Sequence, residues 1–121
     1  MSSEIAWVVE LELLSQHGDA FREITAEMVQ QTQQEAGALA YERFANDDEN
    51  MVVLYERYRD SASAVLHLQT FNEIYGERFV QLISRKRAYV MGSPSEDLKN
   101  LLAPLNPVFL PLMDGFTRFE N

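Results

Sequence analysis

Few side chains in this sequence could transfer a proton near neutral pH. The chain contains two histidines, His17 and His67, and no cysteine. Disulfides, thiolate metal sites and cysteine nucleophiles are therefore excluded. Histidine is the side chain whose ordinary pKa lies nearest to neutrality, so it is the first choice for a general base. His17 stands at the start of a predicted helix and is interpreted as a turn residue, which makes His67 the better candidate.

A carboxylate, a phenol and two guanidinium groups could support such a base. Glu56 and Tyr58 share one face of a predicted strand, because alternate residues of a strand point to the same side. Glu56 is interpreted either as a base or as the buried partner of Arg43 or Arg78, since a buried carboxylate needs a partner. Arg78 could stabilise an oxyanion beside an apolar helix face, or it could be solvated. Tyr58 could line a pocket, although an aromatic residue on a strand more often belongs to the core.

Other kinds of site find little support. The sequence has no glycine-rich phosphate loop and no nucleophile elbow. The acidic run 47–49 lacks the ligand spacing and central glycine of a calcium loop. A net charge of −9, from 19 acidic and 10 basic residues, repels nucleic acid and anionic membranes. The basic run 85–87 is interpreted as a solvated helix end. Neither a signal-peptide pattern nor a long apolar run is present, which predicts a cytoplasmic protein.

The apolar pattern predicts the elements that position these side chains. Period-two alternation and β-branched or aromatic residues predict four strands, at residues 4–14, 39–45, 51–59 and 88–92. Helical spacing predicts a first helix that begins at Asp19 and ends at Gly37. Asp60 opens the next helix, and a further helical stretch follows over residues 72–84. Ser93 is the expected cap of a C-terminal helix that ends by Pro104, before an apolar, extended tail at 108–119.

This order, βαββαβ, predicts a ferredoxin-like α+β fold. The length fits a single domain over residues 1–121, with a core at about 4–92 and a C-terminal helix and tail at 93–121. Helices can cover one face of such a sheet, so the other face would expose a large apolar patch. The sequence therefore predicts a homodimer in which two sheets pack face to face, with the tail crossing to the partner.

Three segments together resemble a known family. They are residues 35–42 (EAGALAYE), residues 53–60 (VLYERYRD), and the following stretch through His67 to Phe71. In order and spacing they resemble the antibiotic biosynthesis monooxygenase domain, a dimeric α+β barrel family that includes quinol monooxygenases. The resemblance covers roughly residues 4–92.

The resemblance implies a function and a set of roles. Many members oxidise a phenol or hydroquinone with O₂ and carry no metal or flavin, so no cofactor is expected here. The partners implied are a small aromatic substrate, O₂ and a second copy of the chain. His67 lies where many members carry a histidine, which suits a proton acceptor or a partner of the phenol oxygen. Tyr58 matches the aromatic of the family's Glu-Arg-aromatic motif. Candidate pocket walls, which the core explains equally well, are Trp7, Phe21, Met28, Phe71 and Phe79.

The sequence departs from the residue pattern of haem-degrading relatives, which bears on its function. Haem-degrading relatives use an Asn on the first strand, which is absent here, and a Trp and a His where this chain has His67 and Glu77. These differences argue against haem. Two alternatives stay open on the same fold: a ligand-binding or stress-response dimer without catalysis, and an isomerase or lyase acting on a small carbonyl compound with His67 as base.

Overall fold

Strands and helices follow one another in the predicted order. The computed structural model describes residues 3–14 and 17–118, apart from the side chains of residues 85 and 86. Its elements are β1 (Ile5–Leu13), α1 (Gly18–Thr32), β2 (Ala38–Ala45), β3 (Met51–Tyr58), α2 (Ser61–Ile74), α3 (Gly76–Val80), β4 (Ile83–Met91), α4 (Glu96–Leu102), a 3₁₀ turn (Ala103–Leu105) and β5 (Val108–Leu110). This is the ferredoxin-like α+β fold that the sequence predicts, extended by α4 and β5.

A single sheet carries the described strands in the order β2-β3-β1-β4-β5. The first four pair in antiparallel fashion, whereas β5 runs parallel to β4. The fifth strand was not predicted: it is the start of the apolar tail, which pairs with the edge of its own sheet. The rest of the tail continues beyond it, and its residues 119–121 lie outside the described part.

The two faces of the sheet differ in what covers them. On the covered face, which packs against the helices, β3 contributes Leu54, Glu56 and Tyr58, all buried. The register places Trp7 of β1 and Tyr41 of β2 on either side of Glu56. The open face carries half-buried or exposed side chains from the alternate positions, among them Val8, Phe44, Val53, Tyr55, Arg57, Tyr89 and Met91.

The fourth strand is confirmed over residues 88–91, but its predicted start was wrong, and so was the single helical stretch predicted over residues 72–84. Helix α2 ends at Ile74, α3 is a separate turn, and β4 begins at Ile83. A bulge explains the error: β1 pairs Leu11 with Arg85 and Glu10 with Arg87, which skips one residue. An extra residue reverses the inside–outside alternation, so the period-two pattern is lost across the bulge. The basic run 85–87 lies within this strand and not at a helix end.

Two predicted helix ends were also wrong. Helix α1 begins after His17, which makes no side-chain capping bond, and ends at Thr32, well before Gly37. Gly37 has another use, because a Cβ there would collide with the Ser63 side chain at the start of α2. Asp60 caps α2 as predicted, accepting from the Ser63 backbone N–H at 2.8 Å.

The C-terminal helix α4 begins two residues later than predicted. Ser95, and not Ser93, is its N-cap, and its hydroxyl accepts from the Leu98 N–H. The Ser95 backbone N–H in turn donates to the Ser61 hydroxyl at 3.0 Å, which ties α4 to the start of α2. Across residues 3–14 and 17–118, no helix has both the length and the apolar character that a membrane crossing requires.

Candidate functional site

Buried polar side chains gather under the covered face. Within the described residues Glu56 and His67 are each about 5% exposed. The Arg43 side chain is about 9% exposed and pairs with Glu56. Burying charged groups costs free energy unless they are paired and hydrogen-bonded. Such a cluster in the interior of a small protein therefore marks a candidate functional site.

Four elements bring the cluster together. Glu56 lies on β3, and Arg43 lies diagonally across from it on β2, where the register pairs Arg43 with Leu54. Neighbouring strands hold such diagonal side chains within reach of each other. His67 comes from α2, whose start is fixed by the Asp60 cap. Glu35 comes from the turn between α1 and β2, close to Gly37, which packs against Ser63 of α2.

The Glu56 carboxylate is held on both oxygens. Its Oε1 accepts a hydrogen bond from the Tyr58 hydroxyl at 2.7 Å. Its Oε2 accepts from Nη2 of Arg43 at 2.9 Å. These two donors, one neutral and one charged, compensate for the loss of water around a buried carboxylate.

His67 stands between two carboxylates. Its Nδ1 lies 2.9 Å from Oε1 of Glu35, and its Nε2 lies 3.5 Å from Oε1 of Glu56. Because a carboxylate accepts hydrogen bonds, the neutral ring is assigned its proton on Nδ1, which leaves Nε2 as the basic nitrogen. A protonated ring would carry an N–H toward each carboxylate. Both ring nitrogens therefore have a carboxylate oxygen beside them, at 2.9 Å and 3.5 Å.

Two tyrosines hold the imidazole ring in place. The Tyr58 ring lies 5.0 Å from the His67 ring, and the Tyr41 ring lies 5.4 Å from it in an edge-on arrangement. Burial, and next the negative charge of Glu56, raise the pKa of both tyrosines well above the ordinary value. Both phenols are therefore neutral near pH 7, and Tyr58 acts as a hydrogen-bond donor to Glu56.

A cavity of about 80 Å³ lies between the covered face and the helices. Its polar wall consists of Tyr41, Arg43, Glu56 and His67. The apolar remainder is formed by Trp7, Val9, Leu11, Met28, Leu54, Leu68, Phe71, Phe79 and Leu105. An apolar cavity with a few converging polar groups is the usual form of a small-molecule site. Leu105 shows that the C-terminal extension contributes to the wall.

The structure brings most of the predicted residues together. His67 and Glu56 line the cavity, as do Trp7, Met28, Phe71 and Phe79. Tyr58 does not line it. Instead it lies behind Glu56 and His67, with its ring 4.9 Å from that of Trp7. Phe21 also lies behind the wall, with its ring 5.9 Å from that of Phe79.

Arg78 does not join this site. Its guanidinium is half-exposed and donates to Glu27 of α1 at 2.8 Å. This hydrogen bond, the largest cause, raises the pKa of Arg78. The oxyanion role expected for Arg78 therefore has no support in its position, and Arg43 is the arginine that faces the cavity.

Sequence reasoning gave no role in the site to Glu35 and Tyr41. Glu35 belongs to a segment that supported the family resemblance, but its contact with His67 spans 32 residues of chain. No local pattern signals such a contact. Tyr41 stands two residues before Arg43 on the same strand face, so the correct pairing of β2 with β3 would have indicated it.

Comparison with solved structures defines the class of protein. MupZ from Pseudomonas fluorescens is 30% identical with a TM-score of 0.80, and the match covers 98% of this chain and 91% of that chain. A candidate antibiotic biosynthesis monooxygenase from Nitrosomonas europaea is 20% identical with a TM-score of 0.66, covering 77% and 92%. Rv0793 from Mycobacterium tuberculosis is 23% identical with a TM-score of 0.58, covering 78% and 98%. The two lower identities show a shared fold.

A match to a protein-family model assigns the chain to a family. The model of the antibiotic biosynthesis monooxygenase family matches residues 5–74, which hold β1 to α2 and therefore Glu35, Arg43, Glu56 and His67. The chain belongs to this family. No curated protein sequence matches it. The match to MupZ covers nearly the whole chain, so it includes most of the C-terminal extension as well.

Proposed function

We propose that the protein is a cofactor-independent monooxygenase that oxidises a small phenol or hydroquinone with O₂. One observation carries the proposal: an imidazole, held between two carboxylates, faces an apolar cavity. Such a site can remove a proton from an acidic substrate and keep water away from the anion that forms. Membership of the family supports this choice of chemistry.

The reaction divides into a proton transfer and an oxidation by O₂. Nε2 of His67 takes a proton from the substrate and leaves an electron-rich anion. The anion transfers one electron to O₂, and the resulting substrate radical and superoxide combine to form a carbon–oxygen bond. For an activated CH₂ group, loss of water from the peroxide then yields a carbonyl. The balance is R₂CH₂ + O₂ → R₂CO + H₂O, with all electrons supplied by the substrate.

The other members of the cluster position the base. Glu35 fixes the ring through Nδ1 and stabilises the imidazolium that forms, which is the usual role of a carboxylate behind a histidine. Tyr58 and Arg43 hold Glu56, and Glu56 lies beside Nε2. Glu35, Glu56 and Tyr58 act on His67 and on one another, so loss of one of them should lower kcat more than it raises KM.

O₂ uptake tests the proposal. Wild type is measured with hydroquinones and anthrone-type phenols after metal chelation, beside His67→Ala and the control His17→Ala. Uptake above the autoxidation rate is expected in wild type and in the control, with a loss of at least about a hundredfold in His67→Ala. A wild type that never exceeds the autoxidation rate would overturn the proposal.

A homodimer is part of the proposal. The open face carries apolar side chains that one chain leaves half-exposed, such as Val8, Val53 and Tyr89, while the exposed Phe44 extends it toward the β2 edge. Packing two such faces together would remove this area from water. The covered face of each chain, with its cavity, would stay on the outer side of the paired sheets.

The size of the cavity favours a second candidate function. About 80 Å³ is small beside the several hundred cubic ångströms usual for ligand sites. A small carbonyl compound would fit such a space, and its isomerisation needs only the proton transfer by His67. Anaerobic exchange of substrate hydrogen with deuterated water would separate the two functions: exchange without O₂ uptake favours the isomerase.

A further inference from the structure

One hydrogen-bond donor in the cavity wall has no acceptor. Arg43 donates through Nη2 to Glu56 at 2.9 Å and through Nη1 to the Glu42 carbonyl at 3.2 Å. Its Nε is buried, and no acceptor within residues 3–14 and 17–118 lies at hydrogen-bond distance from it. The side chain is about nine-tenths buried and lines the cavity.

This donor is also held in a fixed orientation. The guanidinium carbon lies 3.5 Å above the centre of the Tyr41 ring, a stacked cation–π contact. Since both terminal nitrogens are engaged, the plane cannot turn to seek another partner. A buried donor without a partner costs free energy, so its presence in a native structure calls for an explanation such as a bound ligand.

The charges around the cavity restrict what that ligand can be. By formal charge, Glu35 and Glu56 contribute two negative charges and Arg43 one positive charge, so these three side chains sum to −1. A carboxylate would bring a third negative charge into a buried site, which is unfavourable. A neutral molecule adds none, and a proton passed from it to His67 leaves the total unchanged.

We infer that Nε–H of Arg43 binds the acceptor oxygen of a neutral substrate, a phenol or a ketone, and that the site rejects carboxylates. The apolar wall then surrounds the remainder of the molecule, with the oxygen beside His67. The inference rests on the proposed function for the reaction that follows, but the binding step can be measured without turnover.

Three ring compounds of similar size test this inference by NMR titration at neutral pH. Phenol is neutral and carries an acceptor oxygen, toluene lacks the oxygen, and benzoate is an anion; none of them reacts with O₂ unaided. The readouts are the dissociation constants and the Nε–H signal of Arg43. Wild type is compared with Arg43→Lys, which keeps a cation for Glu56 but has no Nε–H. Arg57→Lys is the matched control on the other face of the sheet.

Phenol is expected to bind wild type about tenfold more tightly than toluene, the effect of one hydrogen bond to a charged donor. It should move the Arg43 Nε–H signal, whereas toluene should not. Benzoate should bind more weakly than toluene. Arg43→Lys should still bind toluene, which shows that the cavity is intact, but should lose the preference for phenol. Arg57→Lys should keep it.

Several results would overturn the inference. They are equal binding of phenol and toluene to wild type, no binding of phenol at all, benzoate binding as tightly as phenol, or a preference kept by Arg43→Lys. If Arg43→Lys fails to fold, the wild-type signal of Nε–H still decides. Phenol binding at Arg43 without any uptake of O₂ would leave the inference standing and remove the monooxygenase. Uptake of O₂ without tighter binding of phenol than of toluene would overturn the inference and leave the monooxygenase proposal standing.

Discussion

Two consecutive residues of β3, Glu56 and Arg57, form ion pairs on opposite faces of the sheet that differ in their exposure to solvent. Glu56 points to the covered face and pairs with Arg43, and the two side chains are 6% and 9% exposed. Arg57 points to the open face and pairs with Glu4, and those side chains are 21% and 32% exposed. The same pair of chemical groups is thus buried on one side of a strand and partly hydrated on the other.

The difference in exposure indicates different roles for the two ion pairs. Within one chain the pair on the open face stays partly hydrated, and a hydrated ion pair adds little to stability. A buried pair costs desolvation that an apolar pair would avoid, so its presence is better explained by function than by stability. On the covered face the charges converge on a cavity. On the open face, Arg57 instead spreads its contacts to Tyr55 and to Thr117 of the tail.

Removing one arginine at a time gives the largest expected contrast. Arg43→Met leaves Glu56 as an unpaired buried charge and should lower the free energy of unfolding by about 3–5 kcal/mol. The matched Arg57→Met, on the open face, should cost about 1 kcal/mol or less. Urea unfolding at pH 7 measures both. Equal losses would contradict the distinction between the two faces.

A charge placed on the open face should break the proposed dimer. Val8 lies in the middle of that face, opposite Tyr55 on one side and Tyr89 on the other. Val8→Lys should weaken dimerisation by on the order of a hundredfold, because the charge would be buried between two sheets. Sedimentation over a concentration series measures this, and Leu66→Lys is the control.

Leu66 is a fair control because it is apolar but 65% exposed on α2, away from the open face. Its replacement should leave the dimer unchanged. If both variants stay dimeric, with cooperative unfolding, the two sheets do not pack through this face.

Because Tyr58 is buried on the covered face, the free energy of unfolding should fall at alkaline pH. Burial and the Glu56 charge raise the pKa of Tyr58 in the folded state above its value near 10 in the unfolded chain. The contribution of the neutral Tyr58 phenol to the free energy of unfolding is complete below pH 10. It is lost as the pH rises above 10, because only the unfolded state then releases the proton.

Above pH 10, Tyr58 should therefore lower the free energy of unfolding by about 1.4 kcal/mol per pH unit. Tyr58→Phe should flatten the measured slope by that amount. Phe71→Leu, which changes a cavity ring that has no hydroxyl, should leave the slope as it is. A slope that Tyr58→Phe does not change would show that the phenol ionises without unfolding.

Local pattern predicted the sheet well only where alternation runs unbroken. Strands β1, β2 and β3 differ from their predicted ranges by about one residue at each end. In β4, Ile83 and Ala88 both point to the covered face, although they lie five positions apart. An odd separation is incompatible with strict alternation, so the bulge concealed the first half of this strand.

The site was predictable by residue type but not by pairing. His67 and Glu56 followed from their chemistry and from the strand pattern. Which arginine accompanies Glu56 depends on the register of β2 against β3, and Glu35 reaches His67 because its turn packs on α2 through Gly37 and Ser63. Both are tertiary facts that no window of sequence contains.

The apolar tail after β5 should make a smaller contribution to the proposed dimer than the open face does. After β5, Leu112, Met113 and Phe116 are 76%, 98% and 80% exposed, while Thr117 contacts Arg57 of the open face. Large apolar side chains kept in water are costly, and we predict that the tail crosses to a partner, which would cover them. Deleting residues 111–121 would keep β5 in its own sheet and remove this apolar segment together with the Thr117–Arg57 hydrogen bond.

Each buried apolar side chain contributes about 1.5–3 kcal/mol, but ordering the tail offsets much of the sum. The deletion should therefore weaken the dimer by roughly tenfold, less than Val8→Lys does. A full-length control with Leu112, Met113 and Phe116 changed to Ser should show the same loss if apolar contact is the cause. An unchanged dissociation constant in sedimentation would place the tail on its own chain alone and leave the paired sheets as the whole interface.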